Sequence, residues 1–322
     1  MPKVLGMGNA LVDILIRLDS DKLLGELNLP KGSMQLVDKD FAEELEERVI
    51  NTGIKRTSGG SAANTIHGLA ELNIKTGYIG KVGNDKLGDF FKEDLERAGI
   101  KPVLSYGQSD TGRAVTLISP DSERTFAVYL GAALEQTAED ISSELFGGYE
   151  YFHIEGYLLQ NHELIETALR YAKENRLKVS LDMASYNVVE ENRDFLKRLM
   201  PGYVDIIFAN EEEAMAFTGK KAEEALAELS EMSEIAIVKI GDKGSLVKKG
   251  KEFYKIGIIN AACIDTTGAG DLYAAGFLYG LINELPVKRS GEIGALLAGK
   301  VIEDVGAKIS RKVWNEIRDS LR

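Results

Sequence analysis

The sequence predicts an α/β protein: a doubly wound, mostly parallel sheet with helices on both faces, plus a small β lid. Two observations carry the sheet and a third carries the lid. Short apolar runs rich in β-branched or aromatic residues recur, helical patterns separate several of them, and two stretches break that alternation.

In chain order, strands are expected at Val4-Leu5, Thr76 to Val82, Tyr151 to Ile154, Leu177 to Leu181, Val204 to Phe208 and Ile235 to Ile240. Apolar residues at three- and four-residue spacing predict helices at Leu87 to Ala98, His162 to Asn175, Phe195 to Met200, Glu211 to Thr218 and Ala222 to Met232. Of the two exceptional stretches, one is a hairpin, with Arg113 to Ser119 and Arg124 to Leu130 flanking the turn Pro120-Asp121-Ser122. The other is Leu11 to Leu18, followed by Asp19 to Val37 with Leu23-Leu24, Leu27 and the Pro30-Lys31-Gly32 turn. Both are expected as antiparallel strands added at an edge of the sheet, a lid of residues 11–37 and 104–131 over a site at the sheet's C-terminal edge. No repeat or interdomain linker stands out, and 322 residues suit either two domains or one large α/β domain with an accessory piece.

Composition narrows the partners. With 39 Lys+Arg against 51 Asp+Glu, the net charge of -12 repels phosphate backbones, so nucleic acid is not expected. Val4 to Val12 is interrupted by Asn9 and ended by Asp13, so it reads as a buried strand and not as a signal peptide. Leu272 to Asn283 is uncharged over only 12 residues, short of the ~20 that a membrane-spanning helix needs. The one cysteine, Cys263, admits no internal disulfide; it fits a reducing compartment, the cytoplasm by default, and is expected as a small buried hydrophobe.

The strongest chemical signal is Asp265-Thr266-Thr267-Gly268-Ala269-Gly270-Asp271, followed at once by the apolar helical run Leu272 to Phe277. A glycine-rich turn at a helix N-terminus lets successive backbone N–H groups converge into an anion hole suited to phosphate. An aspartate inside such a hole repels a phosphate ligand, but it suits a base that takes the proton of an attacking hydroxyl. Asp271 is that candidate; the bland alternative is a helix cap.

A second cluster, Ser58-Gly59-Gly60-Ser61-Ala62-Ala63-Asn64, opens the helical pattern Thr65 to Leu72. Gly59 and Gly60 permit close backbone approach to a ligand, and Asn64 can offer a donor and an acceptor to sugar hydroxyls. The alternative is a tight strand-to-helix turn capped by Ser61. Asn9 and Asp13, four apart at a strand's end, are either turn residues or a polyol grip. Asn210-Glu211-Glu212-Glu213, after a buried strand, can hold water-coordinated Mg²⁺ near a nucleotide's phosphates or simply cap an acidic-headed helix. Gly241-Asp242-Lys243-Gly244 is a plain turn or the floor of a nucleotide site. The three histidines show no ligand spacing, no Walker-type Gly-Lys-Ser/Thr loop occurs, and neither Gly6-Met7-Gly8 nor Gly268-Ala269-Gly270 has the third glycine of a dinucleotide fingerprint.

Taken together and in this order, these residues resemble the ribokinase (PfkB) family of carbohydrate and nucleoside kinases over essentially the whole chain. Asp265 to Asp271 matches its C-terminal signature, and Gly59-Gly60 through Gly99 looks like its N-terminal one. The resemblance implies one doubly wound domain over residues 1–322 with a β lid, ATP as donor, Mg²⁺, and phosphoryl transfer to a sugar CH₂OH. It implies Asp271 as catalytic base and Gly268, Ala269 and Gly270 as anion hole, with Asn9, Asp13, Gly59, Gly60 and Asn64 on the substrate. Asn210 and Glu213 match its Asn-x-x-Glu motif near Mg²⁺ and phosphate, while Lys239, Gly241 and Gly244 fall at the nucleotide. Asp265 and Thr267 fall where a monovalent cation, K⁺, would shape the anion hole.

Three departures weigh against a ribokinase or fructokinase: Lys239 replaces a common threonine, Ser61 replaces ribokinase's lysine, and Asp182-Met183-Ala184 replaces Asp-Pro-Asn. Gly8 to Asp13 and the insertion Leu23 to Val37 look more like the adenosine kinase branch. That favours a ribonucleoside, its base sandwiched by Leu11, Leu15, Met34 or Leu36, over a free sugar or sugar acid such as fructose, ribose or 2-keto-3-deoxygluconate. A catalytically silent sugar or nucleotide sensor would have no need of Asp271. An exposed lid edge would invite a homodimer.

Overall fold

The computed structural model describes residues 3–49, 54–121 and 123–321; Ser122 of the expected hairpin turn lies outside them. The strands are β1 (Val4–Met7), β2 (Leu11–Arg17), β3 (Met34–Leu36), β4 (Ile54–Gly59), β5 (Thr76–Val82), β6 (Ile100–Tyr106), β7 (Gly112–Ile118), β8 (Arg124–Tyr129), β9 (Tyr151–Glu155), β10 (Lys178–Asp182), β11 (Ile206–Asn210), β12 (Ile235–Lys239), β13 (Ser245–Lys249) and β14 (Glu252–Ile256). The helices are α1 (Lys22–Glu26), α2 (Lys39–Val49), α3 (Ser61–Glu71), α4 (Lys86–Arg97), α5 (His162–Glu174), α6 (Tyr186–Glu191), α7 (Arg193–Tyr203), α8 (Glu211–Thr218), α9 (Ala222–Leu229), α10 (Ala269–Ile282), α11 (Val287–Val301) and α12 (Arg311–Ser320).

Nine strands form one sheet in the order β14-β13-β12-β11-β10-β9-β1-β5-β6. It is parallel from β12 to β6 and antiparallel over β12-β13-β14. The chain runs outward from β1 through β5 to β6, then returns to the other side of β1 with β9. That reversal makes a crevice at the C-terminal ends of β1 and β9, the usual ligand position in open α/β sheets. The runs that forecast parallel strands are buried over nearly their whole length, as strands covered on both faces must be.

The stretches expected at the sheet's edge do something else. They form a separate five-stranded sheet, β3-β8-β7-β2-β4. β7 and β8 make the expected antiparallel hairpin, but β2 pairs in parallel with β7 and antiparallel with β4. β4 lies outside the boundaries expected for this element, and residues 104–106 belong to the large sheet in β6. The physical reason is that β2 leaves β1 after only three residues and carries apolar side chains on both faces, so it needs a sheet of its own.

The run Leu272 to Ile282 lies in α10, apolar all round and buried from Leu272 to Leu278, as a helix in a protein interior is, with Asn283 as its C-cap. Trp314 packs α12 against this core. Cys263, expected to be buried, is exposed in the irregular segment before α10. Among the described residues, no helix is long and apolar enough to cross a membrane.

Candidate active site

Side chains of opposite charge crowd the C-terminal ends of the parallel strands. Asp271 stands in the first turn of α10, whose N-cap is Gly268 at φ 76°, a left-handed conformation favouring glycine. The orphan N–H groups of that first turn face outward at the helix head. Ser61 Oγ donates to Asp271 Oδ1 at 2.7 Å and Asn64 Nδ2 donates to Oδ2 at 3.0 Å. Ser61 is therefore no N-cap: Gly60 takes that position without a side-chain bond, and the Ser61 hydroxyl goes to the carboxylate 210 residues away. Burial pushes the Asp271 carboxyl up to about 6, against those two hydrogen bonds and Lys239, with Asp182 adding to the rise.

At the glycine pair the close approach is made by the protein's own groups. Gly60 lies at φ 96° with the Asn9 carbonyl against its Cα, and the Asp13 carboxylate lies against Gly59, so a Cβ at either would overlap them. These contacts bring Asn9, Asp13, Gly59, Gly60 and Asn64 together. Burial pushes Asp13 up to about 7; Lys308 pulls the other way and Asp271 adds to it. Asn64 Oδ1 is buried with no hydrogen-bond partner among the described residues, leaving an acceptor free.

On the other side of Asp271, Lys239 Nζ lies 3.1 Å from Asp182 Oδ2, and a Cβ on Gly270 would sit 3.0 Å from that ammonium. Burial lowers the Lys239 pKa, but Asp182, Glu213 and Asp271 more than offset this and leave it above the ordinary value. Asn210 and Glu213 close a reciprocal capping box on α8: Asn210 Oδ1 accepts from Glu213 N at 2.9 Å, while Asn210 N and Nδ2 donate to the Glu213 carboxylate at 2.8 and 2.6 Å. The bland reading thus holds for the pair, yet Glu213 is also buried beside Asp182, and burial pushes its carboxyl up to about 7. Gly241 (φ 60°) and Gly244 (φ 93°) bound the turn after β12; Gly244 could carry no side chain, because the Ile256 carbonyl occupies that space.

Asp265 is used differently from expectation. Its carboxylate is almost fully buried and pairs with Arg124 Nη1 of β8, accepts Thr267 N at 2.7 Å, and accepts Gly306 N at 2.5 Å. Arg124 supplies the positive charge, so this side chain does not fit a K⁺ ligand. Thr267 turns its N–H inward to the same carboxylate. Arg124 Nη2 also donates to the Ile264 carbonyl at 3.2 Å, which ties the smaller sheet to the glycine turn.

Two further residues escaped the sequence reading. Glu155, at the end of β9, accepts Asn9 N at 2.9 Å and Ala62 N at 2.8 Å, holding the β1 end and the head of α3 together. Burial pushes it up to about 7 against those bonds. Asp182 had been noted only as a departure from a motif. Both share one signal with Asn210 and Lys239: each is a polar residue closing an apolar parallel strand, the position of ligand-facing residues in such sheets.

Relatives place this geometry. Residues 32–314 match the family described as pfkB family carbohydrate kinase. The 5-dehydro-2-deoxygluconokinase of Geobacillus kaustophilus is 32% identical over 303 residues, 88% of this chain and 89% of that one. Adenosine kinase of Saccharomyces cerevisiae is 28% identical over 326 residues, 93% and 94% of the two chains. Among solved structures, the adenosine kinase from Sinorhizobium meliloti superposes with a TM-score of 0.87 at 34% identity, covering 99% of both chains. A probable sugar kinase from Rhizobium etli matches with the same score and identity, over 99% of this chain and 98% of that one. With a glycine turn and a carboxylate at the head of α10, and family and fold matched across the chain, the protein belongs to the pfkB family of carbohydrate kinases and is a phosphotransferase.

Proposed function

We propose that the protein transfers the γ-phosphoryl group of ATP to the CH₂OH of a ribosyl substrate, a nucleoside such as adenosine. One observation carries the reading: the Asp271 carboxylate, held by Ser61 and Asn64, stands at the glycine turn heading α10, and Ser61 and Asn64 follow directly on the Gly59–Gly60 pair that packs against Asn9 and Asp13. A hydroxyl gripped in that pocket by Asp13 and the free Asn64 Oδ1 has a base within reach. Asp271, with its pKa near 6, is mostly ionised at neutral pH yet basic enough to take the proton as the oxygen attacks. The N–H groups of residues 268 to 271 stabilise the transferring phosphoryl oxygens, and Lys239 beside Gly270 adds positive charge. The nucleotide lies along Asn210, Gly241 and Gly244. The smaller sheet acts as the lid that excludes water.

Mg²⁺ takes oxygen ligands and keeps several waters. Asp182 and Glu213 are buried oxygen donors of that kind, Glu213 through water because Asn210 already engages both its oxygens. Bound there with ATP, the ion would neutralise phosphate charge.

Adenosine kinase from S. meliloti, similar over its whole length, supports the nucleoside; the 5-dehydro-2-deoxygluconokinase relative supports a sugar acid instead. A panel with ATP–Mg²⁺ over adenosine, inosine, guanosine, ribose, fructose and 2-keto-3-deoxygluconate decides between them. Turnover of a nucleoside is expected. Turnover of sugars alone would replace the nucleoside reading, and turnover of none would sink it.

A further inference from the structure

Gln136 is 2% exposed, and neither its Oε1 nor its Nε2 has a hydrogen-bond partner among the described residues. A buried amide with no partner loses its hydration with nothing to replace it, so the residue is an anomaly unless something else pairs with it. Its backbone is firmly held: the carbonyl accepts Asn161 Nδ2 at 3.1 Å, and Asn161 in turn caps α5. The side chain lines a cavity of about 450 Å³ together with Asn9, Leu134, Tyr157, Leu158 and His162.

Three features of that cavity identify its occupant. Asn9 belongs to it, and the Asn9 carbonyl lies on Gly60, so it abuts the pocket proposed above to grip the ribosyl group. Among the described residues no Asp, Glu, Lys or Arg lines it, and His162 is its one titratable side chain besides Tyr157, a lining that suits a neutral occupant better than a sugar carboxylate. Tyr157 offers an aromatic ring and Leu134, 59% exposed, an aliphatic surface. A primary amide presents one donor beside one acceptor, the complement of a nucleobase edge such as the amino group and ring nitrogen of a 6-aminopurine.

We propose that Gln136 is a specificity-determining residue of the acceptor site, reading the donor–acceptor edge of a nucleobase seated in this cavity. The inference rests on the nucleoside reading and deepens it: Asp271 would act at the 5′ end of the ribosyl group while Gln136 recognises the base at the other.

The test compares adenosine with purine riboside, which lacks the 6-amino donor, in wild type, Gln136→Leu and Gln136→Asn. Wild type should favour adenosine in kcat/KM by roughly 5- to 150-fold, because purine riboside leaves one amide atom buried and unpaired. In Gln136→Leu that ratio should fall to near 1, and Gln136→Asn should fall between. A second readout needs no substrate. Exchanging an unpaired buried amide for leucine should leave the ligand-free melting temperature unchanged or higher, whereas an amide serving the fold would lower it. A lower melting temperature, or an unchanged adenosine preference in Gln136→Leu, overturns the assignment while leaving nucleoside phosphorylation standing. Wild-type turnover of free sugars alone, or of nothing, overturns both.

Discussion

The two sheets handle charge in opposite ways. At the C-terminal edge of the large sheet, Glu155, Asp182, Glu213, Lys239 and Asp271 are locked into the core by short bonds to one another, to backbone N–H groups, or to Ser61, Asn64 and Asn210. The smaller sheet contributes fewer charges to the site. Asp13 leans on Gly59, and Arg124 reaches across to Asp265. Its outer edge, by contrast, leaves Met34 57% and Leu36 65% exposed on β3; Leu11 and Leu15, expected with them around a base, are buried. The difference teaches where each half of the chemistry is fixed. On the proposed reading the phosphoryl end belongs to the large sheet, and the acceptor end is shared between two sheets whose inner faces pack into one hydrophobic core.

If that division holds, substitutions on the two sides should fail differently. Asp271→Asn should lower kcat by about 10²–10⁴, the range for losing a general base, while the acceptor's dissociation constant, measured by calorimetry, stays within a few-fold. A loss of affinity matching the loss of turnover would break the division. Arg124→Ala leaves Asp265 buried without its counter-charge, and breaking such a pair costs about 3–5 kcal/mol. The urea midpoint should fall accordingly, and an unchanged midpoint would show that the sheets do not depend on this contact.

Gly59→Ala presses a methyl group into the Asp13 carboxylate, with overpacking of about 1–3 kcal/mol. The KM for the acceptor should rise roughly 5- to 150-fold with the KM for ATP unmoved; equal changes in both would erase the distinction. The smallest effect is on pH. Below about pH 6 the protonation of Asp271 should cut turnover roughly tenfold per unit. Stability should run the other way. Asp271 is raised to about 6, and Asp13, Glu155 and Glu213 to about 7, all above ordinary carboxylate values, so the fold binds protons that the unfolded chain releases. Their stabilising contribution is complete below about pH 4 and is lost as pH rises through 6 to 7. Calorimetry should therefore find a higher melting temperature at pH 6 than at pH 7.5, although turnover is lower.

Local pattern made much of this legible. The apolar runs and the spacing of the helices forecast β5, β9, β12, α4, α5 and α8 to within a residue or two, because two-faced burial leaves an unmistakable apolar stretch. The turn at Gly268 to Asp271 was equally readable, since left-handed backbone at a helix head demands glycine. β13 and β14 were missed: their alternation is weak, and an antiparallel return after β12 has no helix to announce it. The separate smaller sheet was missed because β2's parallel partner, β7, lies about a hundred residues away.

The sequence alone determined what local chemistry can determine: strand and helix periodicity, a glycine turn at the head of a helix, the glycine pair, and a carboxylate in the first turn of α10. Only the tertiary structure decided how charges are spent. It made Ser61, a candidate cap, a partner of Asp271, paired Asp265 with Arg124, recruited Glu155 as the clasp between β1 and α3, and left the Gln136 side-chain amide with no hydrogen-bond partner among the described residues. The reason is that periodicity and turn propensity act over a few residues, whereas a buried charge or amide answers to whatever the fold brings within 3 Å, from any distance along the chain.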